Sequence, residues 1–496
     1  MSKIKAMNKY LKAVSANILF FVINIIFFLI ITPIAIKIMG EEFYGLWTIL
    51  LALMLFTNIG NLGVSTIVMK FASEVPKDNF QTHSNRIITS GFIIVGIMAL
   101  LVAILLLLTR YLIASNINTQ IKFQEQLNNA ILWIALSIFP QFLIRVPQGF
   151  LLSQLHNQTV RQIELFSTIS LWCGVILLSL IAKNLVYIAF WCFFSNIVIL
   201  LFYVWSMNRM INFHFQFNSE IIKKMLNFSG YMFLESIAIT LFQQVDKIIV
   251  GFTLGPTFAG VYSVGTSLAL RLSMVSGQAT EVMIPYASLK DSLGDQQRLY
   301  IIFRQLSRYV SLIIAIIGSS LIIWMHEILS LWISPYYAMQ YTDTFSILII
   351  AYSLLSISRP AHQTLTGMGK VKFTAIVYLL STIIMLNGVF FLSSKFGLIG
   401  ASAANMILIS LLIFNLYVYH IFHNPIQWKY ILIDLQWGLI LPIIIFFISI
   451  FSHSLGFKII ATIGIAIFLT RSITKDDFIK SRLFSFKQIV CQSRKL

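Results

Sequence analysis

The amino-acid sequence predicts an all-α polytopic membrane protein with about 14 transmembrane helices. Of its 496 residues, 58% are hydrophobic and only 10% are charged, and the mean hydropathy is +0.88. Soluble proteins carry roughly 25% charged residues, so water is not the main solvent of this chain. Apolar runs of about 20 residues, the length that one membrane-spanning helix needs, follow one another almost from end to end.

The apolar runs define the individual spans. The first run follows four lysines, is too long for a signal-peptide core and lacks a small-residue cleavage site, so we expect it to remain as the first helix. A basic connection then separates six spans from the next six. The predicted spans are 14–38, 45–69, 87–109, 129–152, 163–182, 185–206, 226–253, 258–284, 309–333, 342–366, 371–392, 397–420, 430–451 and 456–471.

The basic residues predict the orientation in the membrane. Cytoplasmic connections of membrane proteins are enriched in Lys and Arg. If the N-terminus is cytoplasmic and the spans alternate, most of the 35 Lys and Arg residues fall on the cytoplasmic side. Both termini are therefore predicted to be cytoplasmic.

An internal repeat relates the two sets of six helices. The motif Gly40-x-x-Phe43-x-Gly45-x-Trp47 recurs 215 residues later as Gly255-x-x-Phe258-x-Gly260-x-Tyr262. Six helices per half make the repeat parallel, an architecture known in transporters with the substrate site between the halves. The predicted division is 1–206 for the first lobe, 207–424 for the second, 425–471 for two extra helices and 472–496 for a cytoplasmic tail.

Several function classes are disfavoured by the composition. The formal charge of +18 is spread over short connections instead of forming one patch, so nucleic acid is not an expected partner. Three cysteines at scattered positions support neither a disulfide framework nor a metal cluster. The segment from Gly367 to Lys370 lacks the spacing of a phosphate-binding loop. We therefore predict no catalytic residue, metal or cofactor.

Polar residues within the predicted membrane segments identify a candidate site in helices seven and eight. Charged side chains at mid-bilayer usually face a cavity or a partner, because exposing them to lipid is unfavourable. Ser267, Arg271 and Gln278 lie on one stripe of helix eight, and Glu235 and Asp246 share a face of helix seven. One hypothesis is an aqueous cavity with an anion site at Arg271 and ion coupling at either acid. The alternative is that Arg271 only neutralises one of these acids.

Two further arginines lie near the cytoplasmic ends of predicted spans. Arg145 and Arg359 occupy equivalent positions in the repeat, beside Pro147 and Pro360 respectively. They are candidate substrate-binding residues of the same cavity. The alternative is that they only anchor their helices at the cytoplasmic surface.

The motifs of this sequence resemble those of the polysaccharide-transporter branch of the MOP exporter superfamily. The resemblance covers the whole chain, twelve core helices plus two. It rests on the Gly40 to Trp47 segment, on Val245-Asp246-Lys247-Ile248-Ile249-Val250-Gly251 before Leu254-Gly255, on Gly260-x-Tyr262 and on Thr366-Gly367-Met368-Gly369-Lys370.

This resemblance implies a flippase for an undecaprenyl-pyrophosphate-linked oligosaccharide, such as an O-antigen repeat unit. It would carry this cargo by alternating access from the cytoplasmic to the periplasmic leaflet of the bacterial inner membrane. Arg271 matches an arginine that the related lipid II flippases carry in helix eight. Their arginines in helices one and two are absent here, where only Lys12 and Lys70 lie at the helix ends, which favours another lipid-linked sugar.

The implied partners are the lipid-linked oligosaccharide and the bilayer, with other polysaccharide-assembly membrane proteins as candidates. The nearest alternative is a MATE-like, cation-coupled drug exporter, in which Glu235 and Asp246 would bind the drug or the coupling ion. Arg271 would then be awkwardly placed in a cation site. A membrane polymerase or ligase for glycans is a further alternative, but such enzymes resemble chains with a large external loop, which is not predicted here.

Overall fold

The computed structural model describes residues 2–56, 64–73, 80–154, 156–280, 283–422, 428–451 and 458–464, and these residues form helices joined by short connections. In chain order the helices are α1 (Ser2–Met39), α2 (Glu41–Phe56), α3 (Val64–Ser73), α4 (Phe80–Asn116), α5 (Ile121–Leu143), α6 (Arg145–Ser153), α7 (Asn157–Ile181), α8 (Leu185–Asn208), α9 (Ser219–Thr253), α10 (Pro256–Thr280), α11 (Met283–Ser292), α12 (Gln296–Ile323), α13 (Met325–Trp332), α14 (Pro335–Gly367), α15 (Val371–Ala404), a 3₁₀ segment (Asn405–Leu412), α16 (Ile413–Phe422) and α17 (Trp428–Phe451), followed by 458–464.

Among the described residues, 9 helical segments are long and apolar enough to cross a bilayer. One of them, Val371–Phe422, has 52 residues and breaks at Gly397, whose φ is 60°. Because about 20 residues cross a membrane, this segment contains the two predicted spans 371–392 and 397–420. A further predicted span, 45–69, is divided between the short helices α2 and α3. With these spans counted separately, the helices are consistent with the predicted polytopic all-α fold of about 14 helices.

Many helices are longer than the predicted spans. α4 has 37 residues, whereas the apolar run predicted only 87–109. At 1.5 Å per residue such a helix measures roughly 55 Å, well beyond the roughly 30 Å of hydrocarbon. Its ends therefore project into the headgroup region, where polar residues remain helical without being buried in lipid.

The chain divides into two compact units, and each is described by itself. The first contains Met1–Ser267 and Lys370–Ile407. In it α9 packs against α2, α4 and α15, while α5 packs against α4 and α8. Trp47 and Phe142 are completely buried in its core.

The second unit contains Leu268–Gly369 and Leu408–Leu496. Its central helix is α14. In the most apolar stretch of this helix, 89% of the residues are buried, and the helix packs against α11, α12, α13, α16 and α17. α17 lies close to α12, and the N–H of Gly438 in α17 donates to Ser311 Oγ of α12 at 2.8 Å. The predicted lobes 1–206 and 207–424 have other bounds than these two units. The lobes remain a prediction, because the units are defined by packing and the lobes by repetition in the sequence.

Both halves of the repeat contain the same kind of close helix crossing. In the first unit a Cβ on Gly149 of α6 would lie 2.3 Å from the carbonyl oxygen of Ser65 in α3. In the second unit a Cβ on Gly367 of α14 would lie 2.5 Å from the carbonyl oxygen of Ile284 in α11. Each crossing needs a glycine because any side chain would meet backbone atoms. The internal repeat remains a prediction, because these two glycines are 218 residues apart and do not match its offset of 215.

Candidate functional site

The predicted polar stripe of α10 lies on an accessible face of that helix. Ser267 and Arg271 are half-buried, and Gln278 is exposed, as is Met274 between them in the stripe. The opposite face is packed, since Leu272 is 3% exposed. Arg271 therefore lies on the side of α10 that does not pack into the core.

α14 fixes the position of the C-terminal part of α10. The hydroxyl group of Ser276 donates a hydrogen bond to the carbonyl oxygen of Ser356, at 2.7 Å. Both serines are buried, so this contact belongs to the core of the second unit. Arg271 and Arg359 each lie within two helical turns of this contact along their own helices.

Arg359, which the sequence analysis paired with Arg145 in the repeat, is half-buried in α14. Its Nε atom is buried and has no hydrogen-bond partner among the described residues. His362, one turn further on, is 6% exposed, and its ring lies 5.5 Å from that of Phe414. A buried guanidinium N–H without an acceptor is the kind of group that an anion would satisfy.

Arg145 has a different environment in the first unit. It donates from Nη1 to Gln148 Oε1 at 3.1 Å, and Gln148 Nε2 donates to Glu164 Oε1 at 2.9 Å. Glu164 also pairs with Arg161, at 2.7 Å. This chain of hydrogen bonds joins α6 to α7. Such a network favours the anchoring interpretation of Arg145 over the substrate-binding one, and a binding role remains a prediction.

Asp246 is completely buried in α9 and lies in a polar cluster of the first unit. Its Oδ1 accepts from the backbone N–H of Lys247 at 2.8 Å, and the Tyr262 hydroxyl lies beside its carboxyl group. Asn405 Nδ2 donates to the Tyr262 hydroxyl at 2.7 Å, which leaves the phenolic proton available for the carboxylate. Glu235 belongs to the same helix, but its side chain lies outside the described part of the chain.

Lys247 is the nearest opposite charge to Asp246 in sequence, and it is also buried, at 8% exposure. Its Nζ donates to the carbonyl oxygen of Gln243 at 2.6 Å and to Gln244 Oε1 at 3.2 Å. The structure buries both side chains in the first unit.

A second buried acid was missed by the sequence analysis. Asp434 of α17 is completely buried and pairs with two arginines of α12, accepting from Arg304 Nε at 2.6 Å and from Arg308 Nε. The Tyr419 hydroxyl of α16 donates to the same carboxylate at 2.6 Å. Two sequence signals could have marked its members as candidates, though not their pairing. Asp434 is the lone acid of the predicted span 430–451, and the two arginines are four residues apart.

The fold is similar to that of solved membrane transporters. A lipid II flippase, MurJ, in an inward closed conformation superposes with a TM-score of 0.67 at 14% identity, covering 92% of this chain and 99% of the flippase. An inward-facing MATE multidrug resistance transporter of the MOP superfamily gives the same TM-score of 0.67 at 11% identity, covering 84% of this chain and 94% of the transporter. These similarities define the class: a polytopic membrane protein with a transporter fold.

The sequence comparison then identifies the family. Residues 34–339 match the model of the polysaccharide biosynthesis protein family, and the chain belongs to that family. A Shigella flexneri protein assigned as an O-antigen transporter is 21% identical over 376 residues, which cover 73% of this chain and 86% of the relative. The predicted resemblance to the polysaccharide-transporter branch is confirmed.

Proposed function

We propose that the protein is a flippase for an undecaprenyl-pyrophosphate-linked oligosaccharide, an O-antigen repeat unit or a similar glycan. It carries this substrate from the cytoplasmic to the periplasmic leaflet by alternating access. Membership in the polysaccharide biosynthesis family supports the substrate class, and the Shigella flexneri relative supports O-antigen transport in particular. The location is the bacterial inner membrane, with both termini in the cytoplasm.

The observation that carries the proposal is the accessible face of α10. An arginine and a glutamine exposed directly to lipid would be costly, so this face is best explained by an aqueous cavity. Arg271, Ser267 and Gln278 then line the cavity, and Arg271 supplies the counter-charge for the pyrophosphate. Guanidinium suits this role because its planar fork can contact two phosphate oxygens at once.

Arg359 and Arg145 are proposed as further contacts of the anionic substrate, with different support. The buried Nε of Arg359 lacks a hydrogen-bond acceptor among the described residues, which supports a role in anion binding. The Nε of Arg145 shares this feature among the described residues, but its Nη1 already donates to Gln148, so its support is weaker. Asp246 and Glu235 remain the proposed ion-coupling residues. The cluster of Asp246 with Tyr262 and Asn405 offers oxygen atoms around one buried carboxylate.

The alternative is a MATE-like, cation-coupled drug exporter. The fold does not decide between the two functions, because both superfamily members superpose equally well. The family match and the arginine on the accessible face of α10 both favour an anionic, sugar-linked substrate over a cationic drug. An enzyme of glycan polymerisation or ligation has no comparable support.

Reconstitution tests the proposal directly. The purified protein is placed in liposomes that contain a fluorescent undecaprenyl-pyrophosphate-linked oligosaccharide, and leaflet exchange is followed by quenching from outside. We expect exchange well above that of protein-free liposomes. Accumulation of ethidium is measured in parallel. Ethidium transport without movement of the lipid-linked sugar would establish the drug-exporter alternative instead.

A further inference from the structure

The α8–α9 connection, residues 209–218, belongs to the first unit and lies against α4. The side-chain amide of Asn85 in α4 donates to the carbonyl oxygen of Asn212 at 3.3 Å. Further along the connection, the backbone N–H of Gln216 donates to Thr89 Oγ1 of α4 at 3.0 Å. Because α4 bonds to the backbone at two places, the connection has a defined position on that helix.

Two phenylalanines of the α8–α9 connection are exposed. Phe215 and Phe217 are 67% and 65% exposed, whereas Phe213 is half-buried with its ring 5.7 Å from that of Phe92 in α4. Leaving a large apolar side chain in water forgoes roughly 1.5–3 kcal/mol of burial. Exposed apolar patches of this kind often mark a surface that contacts a membrane. The two exposed rings therefore suit lipid better than water.

The contacts with α4 also give the depth of the α8–α9 connection in the membrane. The predicted span 87–109 begins six residues after Gln81, which is roughly 9 Å of helix. The carbonyl oxygen of Asn212 accepts from Gln81 Nε2 and so lies on the water side of this boundary. Gln216 bonds to Thr89, just inside the apolar run. The two exposed phenylalanines flank Gln216 in the chain, so they lie where headgroups meet hydrocarbon.

The end of α8 provides a second indication of the same depth. Trp205 is 54% exposed, and the guanidinium group of the exposed Arg209 lies over its ring, 3.5 Å from the centroid. Tryptophan is enriched at the membrane interface, where its amphipathic ring sits at headgroup level. Guanidinium N–H groups suit phosphate oxygens. This pair therefore begins the α8–α9 connection at the level of the lipid phosphates.

Positive charge surrounds the two exposed phenylalanines in the sequence. Lys223 and Lys224 are exposed in the second turn of α9, and Arg209 is exposed at the start of the connection. Glu220 is the one acid between Arg209 and Lys224, so three positive charges and one negative charge leave a net charge of +2. Basic residues next to a membrane helix are attracted to anionic lipids.

From these observations we propose that the α8–α9 connection is an interfacial anchor that binds anionic phospholipids. Phe215 and Phe217 insert at the boundary between headgroups and acyl chains, while Arg209, Lys223 and Lys224 contact the lipid phosphates. Such an anchor holds the adjoining ends of α4, α8 and α9 at one depth in the bilayer. It uses none of the residues proposed for transport.

Spin labels on the full chain measure the depth of the connection. In a background without the three native cysteines, a nitroxide is attached to a cysteine at Phe215, at Phe217 or at the matched control Asn212, which is also exposed. The protein is placed in nanodiscs of phosphatidylcholine and phosphatidylglycerol. Collision with oxygen, which concentrates in hydrocarbon, is compared with collision with a water-soluble nickel chelate. We expect the oxygen-to-nickel ratio to be severalfold higher at the two phenylalanine positions than at Asn212.

A titration with phosphatidylglycerol tests the charge, with the label at Phe217. The oxygen-to-nickel ratio should rise as the anionic lipid replaces phosphatidylcholine. Lys223→Gln combined with Lys224→Gln should raise the fraction of anionic lipid needed for half of this change roughly fivefold or more, the scale of one lysine near an anionic surface. Lys122→Gln combined with Lys395→Gln is the matched control, because both lysines are exposed on other connections or helix ends. This control should respond like the wild type.

Three results would overturn the proposal. Equal ratios at all three label positions would place the connection in water. Labels at Phe215 and Phe217 that neither oxygen nor nickel reaches would indicate a protein contact instead of lipid. An unchanged titration after loss of Lys223 and Lys224 would remove the anionic lipid as the ligand. None of these measurements depends on transport, so they leave the flippase proposal untouched.

Discussion

Gly45 and Gly260, which occupy equivalent positions in the internal repeat, lie against each other in the first compact unit. A Cβ on Gly260 would lie 3.0 Å from the Cα of Gly45. The first turns of α2 and α10 thus cross at almost backbone-to-backbone distance. A Cβ on Gly45 would come within 1.7 Å of the carbonyl oxygen of Pro256, far inside van der Waals contact, so the backbone would have to move.

The first prediction is that Gly45→Ala destabilises the protein. The added methyl group must displace the backbone of α10, and overpacking of this kind lowers the free energy of unfolding by about 1–3 kcal/mol. Thermal unfolding in detergent measures the effect. Gly96→Ala is the matched control, because Gly96 is also helical and its Cβ would meet nothing within 4 Å. Equal unfolding temperatures for the two variants would show that the crossing is not as close as described.

The second prediction concerns Asp434, whose carboxylate lies between α12, α16 and α17. Asp434→Asn removes the charge that compensates Arg304 and Arg308, and breaking a buried ion pair costs about 3–5 kcal/mol. We expect a clear loss of thermal stability and of protein abundance in the membrane. Asp343→Asn makes the same chemical change at an exposed position of α14 and should be nearly silent. A similar loss in both variants would contradict a special role for Asp434.

Apolar run length predicted most of the transmembrane helices, because crossing a bilayer demands about 20 apolar residues wherever the helix lies in the fold. The helix ends were less predictable. α4 extends beyond 87–109 on both sides, since polar residues outside the hydrocarbon can remain helical. The repeated glycine motif was visible in the sequence because Gly45 and Gly260 pack against each other, where neither position has room for a side chain.

Pairings between distant side chains could not be predicted in this way. Asp434 lies 130 residues from Arg304, and no pattern of spacing relates two helices so far apart in the chain. The same limit applies to Asp246, for which the sequence offered Arg271 as a partner while the buried Lys247 stood next to it. Polar residues in membrane helices could be selected as important from the sequence, but their partners depend on packing.

The third prediction concerns topology, which the fold does not determine. Single cysteines at Gln120, Met339 and Ser394 should react from outside the cell with an impermeant thiol reagent. Cysteines at Gln81, Asn218 and Gln296 should react only after the membrane is opened. The background lacks Cys173, Cys192 and Cys491. Outside labelling at position 296 would contradict the alternation of spans and the cytoplasmic termini.

The fourth prediction separates ion coupling from charge compensation at Asp246. Asp246→Asn alone leaves the buried Lys247 without the negative charge beside it in the chain, so we expect lower stability and lower abundance. Asp246→Asn combined with Lys247→Gln removes both charges and should restore abundance. If Asp246 also carries the coupling ion, transport by the double variant should no longer respond to an imposed Na⁺ or H⁺ gradient. A double variant with the gradient dependence of the wild type would exclude the coupling role.

The last prediction concerns Arg271 on the accessible face of α10. Arg271→Ala should lower glycan export roughly tenfold or more, because a charge-assisted contact with the pyrophosphate is lost. Arg271→Lys should retain part of the activity, since the charge survives but the bidentate geometry does not. The measurement is surface glycan per molecule of inserted protein.

Arg298→Ala serves as control, because the Arg298 side chain is 73% exposed and its removal changes the net charge equally. A purely structural Arg271 predicts the reverse pattern, in which the alanine variant is scarce in the membrane and the lysine variant is almost unaffected. Wild-type export per inserted molecule of Arg271→Ala would refute the anion site.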